Sequence, residues 1–237
     1  MSRSVYWIIM GFLLPMATQV VAQVEYGYSR TIRIYAPNFK PYDDVEGSPF
    51  VPSDSVQNGW LVYGRKQVPA RLRYNSYSGE VEYVEGGKVL TPVNSVAEFE
   101  IITVDTLRFR KGFPAVETWS PIDFYQVVYD GRHTKLLKRI VSVIKSNTET
   151  MSDDFGKKRF EQREGYFIWA STAKPSTDAY VEKLSEGEMK LIILNKKALL
   201  SALPQKADQI NAYLTEQKIK LKSWKEVANV LKYLDTL

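Results

Sequence analysis

Apolar and polar positions alternate most regularly between residues 124 and 143, FYQVVYDGRHTKLLKRIVSV, in two runs that meet at Asp130-Gly131. Alternation sends successive side chains to opposite faces of a strand, so the stretch predicts a β-hairpin. Asp-Gly suits a two-residue type I′ turn, which needs positive φ at both central positions. That register sets Tyr129 opposite Arg132, Val127 opposite Thr134 and Tyr125 opposite Leu136 on one largely apolar face. Phe124, Gln126, Val128, His133, Lys135 and Leu137 then form a mixed face, as on a sheet wetted on one side.

The same design recurs along the chain. Residues 60–63 lead through a 64–66 turn into 69–74, and 69–74 pairs with 80–84 across a 75–79 turn. Leu72, Tyr74, Val81 and Tyr83 alternate with Arg71, Arg73, Glu80 and Glu82, which predicts an apolar inner face and ion pairs on the solvent face. Gly86-Gly87 turns the chain into 88–91, where Thr91 and Pro92 predict the start of a short helical turn. Residues 99–104 and 106–110 read as strands, and 112–123 as a loop. Residues 146–164, SNTETMSDDFGKKRFEQRE, are polar and without alternation, which predicts a mobile loop. Strand pattern returns at 165–171, and 179–184 with 189–194 reads as a last pair about Glu186-Gly187.

From residue 195 the period changes to that of helices. Asn195 caps a run in which Leu199, Leu200 and Leu203 share a face, and Pro204 opens a second helix carrying Ile210, Tyr213 and Leu214. Ser223 and Glu226 make a capping box for a third helix, whose Val227, Val230, Leu231 and Leu234 follow i, i+3, i+4, i+7 spacing. The fold class is α+β: a mainly antiparallel sheet curled into a roll or partial barrel, then two or three short C-terminal helices.

The first 22 residues depart from this pattern. Arg3 precedes an apolar run over 5–17, and Val20 and Ala22 stand at the −3 and −1 positions of a signal-peptidase site. The run is shorter than the ~20 residues a spanning helix needs. Domain organisation is therefore a signal peptide at 1–22, an aromatic and Pro-rich entry segment at 23–58, an antiparallel β domain at 59–194 and a helical tail at 195–237. The entry segment carries one expected edge strand at 30–35 and reads as a coil wrapped on the outside of the domain. An aromatic platform for carbohydrate is the alternative reading of its rings. Absence of cysteine excludes disulfides, thiolate chemistry and a lipid anchor on an N-terminal cysteine. Loss of Arg3 with the leader takes the formal charge from +5 to +4, too little to imply a nucleic-acid partner. An exported protein, periplasmic or secreted and soluble, is the expectation.

Several stretches, taken in order, resemble a family of exported proteins from Bacteroidota: GSPF at 47–50, GWLVY at 59–63, VPARLRYNSYSGEVEY at 68–83, FYQVVYDGRHTKLLKR at 124–139 and the ending LNKKALLSALPQ…KSWKEVANVLKYL. The shared motifs are turns and capped helices. The resemblance implies the fold and the compartment, and it carries over no catalytic, cofactor or metal residue.

Candidate chemistry is sparse. His133, the single histidine, lies two residues beyond the hairpin tip and is expected to be structural or exposed. There is no His or Cys cluster of metal-ligand spacing and no phosphate-binding Gly-rich loop. Asp43-Asp44 and Asp153-Asp154 are the visible carboxylate pairs for glycosidase-type chemistry, both in polar stretches that suit solvated loops. Residues 132–163 hold nine Lys or Arg against four Asp or Glu, among them Lys157, Lys158 and Arg159. This excess suits an anionic surface, with a solvated face as the plain alternative. The expected function is non-enzymatic, structural or binding, in the cell envelope, with no cofactor. An envelope protein, an anionic lipid or a glycan is the partner left open, and a carboxylate-dependent hydrolase of envelope glycans is the competing class. Intact-mass measurement on the exported protein is expected to give a chain beginning at Gln23; a mass that retains residues 1–22 contradicts the leader.

Overall fold

The structure is a computed structural model, and it describes residues 42–92, 96–147, 156–172 and 184–237. The leader, the strand expected at 30–35, Asp153-Asp154 and residues 179–183 lie outside the described residues. Among the described residues twelve strands form one sheet: β1 (Val45–Glu46), β2 (Phe50–Val51), β3 (Gln57–Tyr63), β4 (Lys66–Asn75), β5 (Glu80–Glu85), β6 (Lys88–Leu90), β7 (Glu98–Ile101), β8 (Leu107–Arg110), β9 (Tyr125–Asp130), β10 (Thr134–Ser146), β11 (Lys158–Ser171) and β12 (Gly187–Ile192). Three helices follow, α1 (Lys196–Ala202), α2 (Ala207–Glu216) and α3 (Trp224–Leu234). The strand order is β1-β11-β10-β9-β8-β7-β3-β4-β5-β6, with β12 also on β11 and β2 also on β4. Pairing is antiparallel except for the short parallel contact of β1 with β11. The sheet stays open but rolls far enough for the Ser142 amide on β10 to donate to the Ser76 carbonyl, just past β4, at 3.1 Å.

The longest pairing joins β10 to β11 over thirteen residue pairs, from Thr134↔Ala170 to Ser146↔Lys158. Residues 158–164, expected within a loop, are therefore strand. Their alternation is hidden because both faces there carry polar side chains, while the backbone ladder with β10 runs on. The segment before β12 is also revised: residues 184–186 form a 3-10 turn, and β12 pairs with β11.

The hairpin of β9 and β10 differs from its expected register. Lys135 faces Asp130 and Leu136 faces Tyr129, but Leu137 faces Val127, so Val128 is the extra residue of a bulge. Gly131 is not among the glycines with positive φ, and its amide donates to the Thr134 carbonyl at 3.0 Å, closing a longer loop than a type I′ turn. The two-residue turn with both positions at positive φ occurs instead at Gly86-Gly87 (φ 57° and 74°), between Glu85 and Lys88.

The bulge decides which side chains face which core. Without it Tyr125, Val127 and Tyr129 would share a face. With it, Tyr125 and Val127 stay beside Leu137, while Tyr129 crosses to the face of Leu136. Neither face of this part of the sheet is wetted, contrary to the expectation. The helices cover Leu136, Ile168 and Ile192 on one side. Phe113, Trp119 and Leu184, from loop and turn, cover Leu137, Phe167, Trp169 and Met189 on the other. A third core fills the roll: Leu61, Leu72, Tyr74, Phe99, Phe109, Phe124 and Ile140, with the Phe99 and Phe109 rings stacked at 4.7 Å.

On the outer face Arg108 bridges Glu100 (2.8 Å) and Asp130 (3.2 Å), and Arg110 reaches Glu98 (2.6 Å), a ladder that pins β7, β8 and β9 in register. Of the ion pairs expected between β4 and β5, Arg73–Glu82 forms at 2.9 Å, but Arg71 stands opposite Val84. Glu82 is only 3% exposed, so the pair is buried rather than solvent-facing, and Asn75 also donates to it at 3.2 Å.

The helices begin as their sequences dictate. The Asn195 side chain accepts from the Ala198 amide at 2.8 Å, and Ser223 with Glu226 closes the capping box of α3. Val227, Val230, Leu231 and Leu234 are buried against the sheet. The C-terminal end of α3 is tied down by Asp235, which accepts from the Tyr129 hydroxyl at 2.7 Å and from Thr134 at 3.4 Å. That contact explains Gly131: a Cβ there would come within 1.7 Å of the Asp235 carboxylate and 2.7 Å of the Thr134 carbonyl. Gly131→Val is accordingly expected to cost about 1–3 kcal/mol by overpacking, part of which Asp235→Ala restores. Urea melts of the glycine variant and the wild type that superimpose contradict the close approach.

Candidate functional site

A groove furnished with polar groups lies where β10 meets the turn after β4. Its walls are the turn at 76–79, the loop at 119–124 and β10, and it encloses a cavity of about 340 Å3. The turn is set by Asn75, whose side-chain oxygen accepts from the amides of Tyr77 (3.1 Å) and Ser78 (3.2 Å). Ser76 is buried and locks the turn to its neighbours, with its hydroxyl 2.6 Å from the Pro49 carbonyl and 2.7 Å from the Ser142 hydroxyl. Tyr77, 46% exposed, stands at the rim with its edge against the rings of Tyr42 and Phe160. The opposite rim is Ile122, 76% exposed.

Arg139 occupies the floor. Its Nη1 donates to the Tyr74 hydroxyl and, at 3.0 Å, to the Phe124 carbonyl. Its Nη2 donates to Asp123 at 2.9 Å. The second Asp123 oxygen accepts from the Ser120 amide at 2.7 Å, so both of its oxygens hold the loop in place. The Arg139 guanidinium also lies 5.5 Å from the Trp119 ring centre. Arg139 itself is 6% exposed, and its Nε–H is buried without an acceptor, as is the Tyr125 hydroxyl. A buried, unpaired guanidinium N–H is costly and calls for an acceptor.

Burial shapes the ionisation of the groups around this point. The Tyr125 phenol is pushed up to about 12, chiefly by burial and then by the Asp123 charge. Burial also raises Tyr74, with Arg139 pulling the other way. Lys111, half-buried in the wall with its ammonium 5.2 Å from the Phe124 ring centre, is held below the usual lysine range by desolvation.

The residues singled out from sequence fall elsewhere. His133 is exposed at the hairpin tip. Asp43 and Asp44 are exposed, and Asp44 pairs with Lys158 at 2.8 Å, which lowers its carboxyl below the usual range. The basic excess of 132–163 divides: Lys145, Lys157, Lys158 and Arg159 are exposed near one end of β10 and β11, with Lys145 opposite Arg159, and others are drawn into pairs. Lys135 and Arg139 are buried, paired with Asp130 and Asp123. Lys138 pairs with Glu164 at 3.1 Å and Arg163 with Glu161 at 2.8 Å. The groove residues were not anticipated as a set. The sequence carried no signal for them, because Arg139 reads as surface charge until the loop closes over it.

Among the described residues no three metal-ligating side chains gather, and no helix is long and apolar enough to cross a membrane. Comparison with protein-family models, with curated proteins and with solved structures gives no match. The geometry predicts that Tyr74→Phe lowers stability by about 1.5–3 kcal/mol, the worth of a hydrogen bond to a charged group. Thermal and urea unfolding of the two proteins check this, and coincident curves contradict it.

Proposed function

We propose that this chain is an exported cell-envelope protein of non-enzymatic, binding type, and that the groove over Arg139 is where it meets another envelope component. The observation that carries the reading is the groove's construction: a fixed guanidinium, a half-buried ammonium and exposed side chains at both rims, on a sheet whose interior is filled by packed rings. Such a site recognises by shape and fixed polar contacts, as binding pockets do. The leader-like residues 1–22 and the likeness to exported Bacteroidota proteins support the compartment.

A second reading has one observation behind it: Glu80 and Asp123 line the same groove, which suits a carboxylate-dependent hydrolase of envelope glycans. Commitment of both Asp123 oxygens to Arg139 and Ser120 supports binding over hydrolysis. Ile122→Arg places a long side chain across an exposed rim and is expected to leave the thermal midpoint within about a degree, since surface changes rarely exceed ~0.5 kcal/mol. Affinity capture from a native envelope extract is expected to lose the wild type's co-purifying component with this variant. Equal recovery by both proteins contradicts the groove as the site.

A further inference from the structure

Beyond the groove, and sharing no residue with it, we propose a second contact surface: the corner between α2 and α3 docks on an anionic lipid bilayer through Lys218, Lys220, Lys222 and Lys225. Charge is spread unevenly along the chain. Residues 195–237 hold eight Lys against four Asp or Glu, a net +4, and no Arg. The whole chain without its first 22 residues carries the same +4, so residues 23–194 are balanced and the helical tail is not. Half of the tail's lysines fall within residues 218–225. All four are exposed, and none is drawn into an ion pair among the described residues.

The backbone holds them outward. Helix α2 ends in a Schellman motif: the Lys218 amide donates to the Thr215 carbonyl at 3.4 Å and the Ile219 amide to the Leu214 carbonyl at 3.1 Å. The chain then alternates. Ile219 packs against the helical core and Leu221, 1% exposed, lies within it, while Lys218, Lys220 and Lys222 face solvent. Lys218 takes φ 53° at the position such motifs usually give to Gly, where a Cβ is strained. A lysine kept where glycine folds more easily points to a use for its charge rather than for the turn. Glu226, the acid inside the corner, is turned back on the backbone and accepts from the amides of Lys222 at 2.6 Å and Ser223 at 3.0 Å. Its capping box takes up amides at the start of α3, so the attraction for an anion rests with the lysines.

The chemistry of the four favours a bilayer over a single bound anion. Arginine's planar fork suits fixed, bidentate recognition of a carboxylate or phosphate, whereas lysine is a flexible point charge. An all-lysine corner answers to the summed potential of many headgroups, and each lysine near an anionic lipid surface raises partitioning about fivefold. Trp224, partly buried at the start of α3, lies inside the same run, and indole rings favour the headgroup level of a bilayer. An anionic polysaccharide shares the charge but has no acyl boundary for the indole.

Co-sedimentation of the chain beginning at Gln23 tests this, with vesicles of equal parts phosphatidylglycerol and phosphatidylcholine against phosphatidylcholine alone. Binding is expected to the mixed vesicles only, and to fall as salt rises, since exposed charges are screened. Lys218→Gly is expected to lower the partitioning about fivefold while leaving the thermal midpoint unchanged or higher, the opposite sign from a damaged fold. Changing Lys218, Lys220, Lys222 and Lys225 together to Gln is expected to lower it roughly a hundredfold or more. The same change at Lys145, Lys157, Lys158 and Arg159 removes equal charge from the end of β10 and β11, and is expected to lower it no more than about twofold. Equal losses in the two quadruple variants, full binding or a lowered midpoint in Lys218→Gly, or equal binding to phosphatidylcholine alone each overturns the assignment. Absence of vesicle binding overturns it as well, and retention on polygalacturonate in that case gives the corner to a glycan.

Discussion

One strand is common to all three hydrophobic cores. Within five residues of β10, Leu136 belongs to the core under the helices, Leu137 to the core under the 113–119 loop, and Ile140 to the core inside the roll. Consecutive residues of a strand point to opposite faces, so Leu136 and Leu137 must each find an apolar cover. The helical tail supplies one and the loop the other. A strand shared in this way cannot shift register without exposing two cores at once, which gives the thirteen-pair ladder with β11 its definition. The bulge at Val128 fits β9 to that constraint, releasing Tyr129 to the helix face where its hydroxyl meets Asp235.

The groove is a by-product of the same strand. Beyond Lys138 the described pairing of β10 with β9 ends, and β10 continues alone with β11 toward the 75–79 turn. Arg139 sits where that departure begins, and its charge is taken up by what surrounds it: the Tyr74 hydroxyl from the roll, and Phe124 and Asp123 from the end of the loop. One side chain thus joins the roll, the loop and the central strand, with its buried Nε left without an acceptor. Breaking such a buried arrangement at one partner costs more than the contact itself, because the charge stays behind.

Much of the fold was legible in the residues. The Leu72/Tyr74 and Val81 alternation, the Gly86-Gly87 turn, the Asn195 cap and the Ser223/Glu226 box all declare local structure through local chemistry, and each occupies the element it predicts. What was hidden depends on partners far away in the chain. Asp130-Gly131 carries the composition of a type I′ turn, yet Gly131 is needed because Asp235, over a hundred residues later, packs against it. Residues 158–164 look like a loop because neither face is apolar, although β10 holds them in strand. The groove was illegible for the same reason. Arg139 and Lys135 counted as surface charge in the sequence, and their burial follows only once the loop and the hairpin tip close over them.

Native-state amide exchange measures directly whether β10 makes the three cores one unit. Amides of Leu137 and Ile140 on β10, Phe109 in the roll and Leu231 on α3 are expected to share a single opening free energy equal to that of global unfolding, with urea dependence to match. If α3 instead opens at a markedly lower free energy than β10, the helical core is a separate unit, and the dependence of the fold on one shared strand is contradicted.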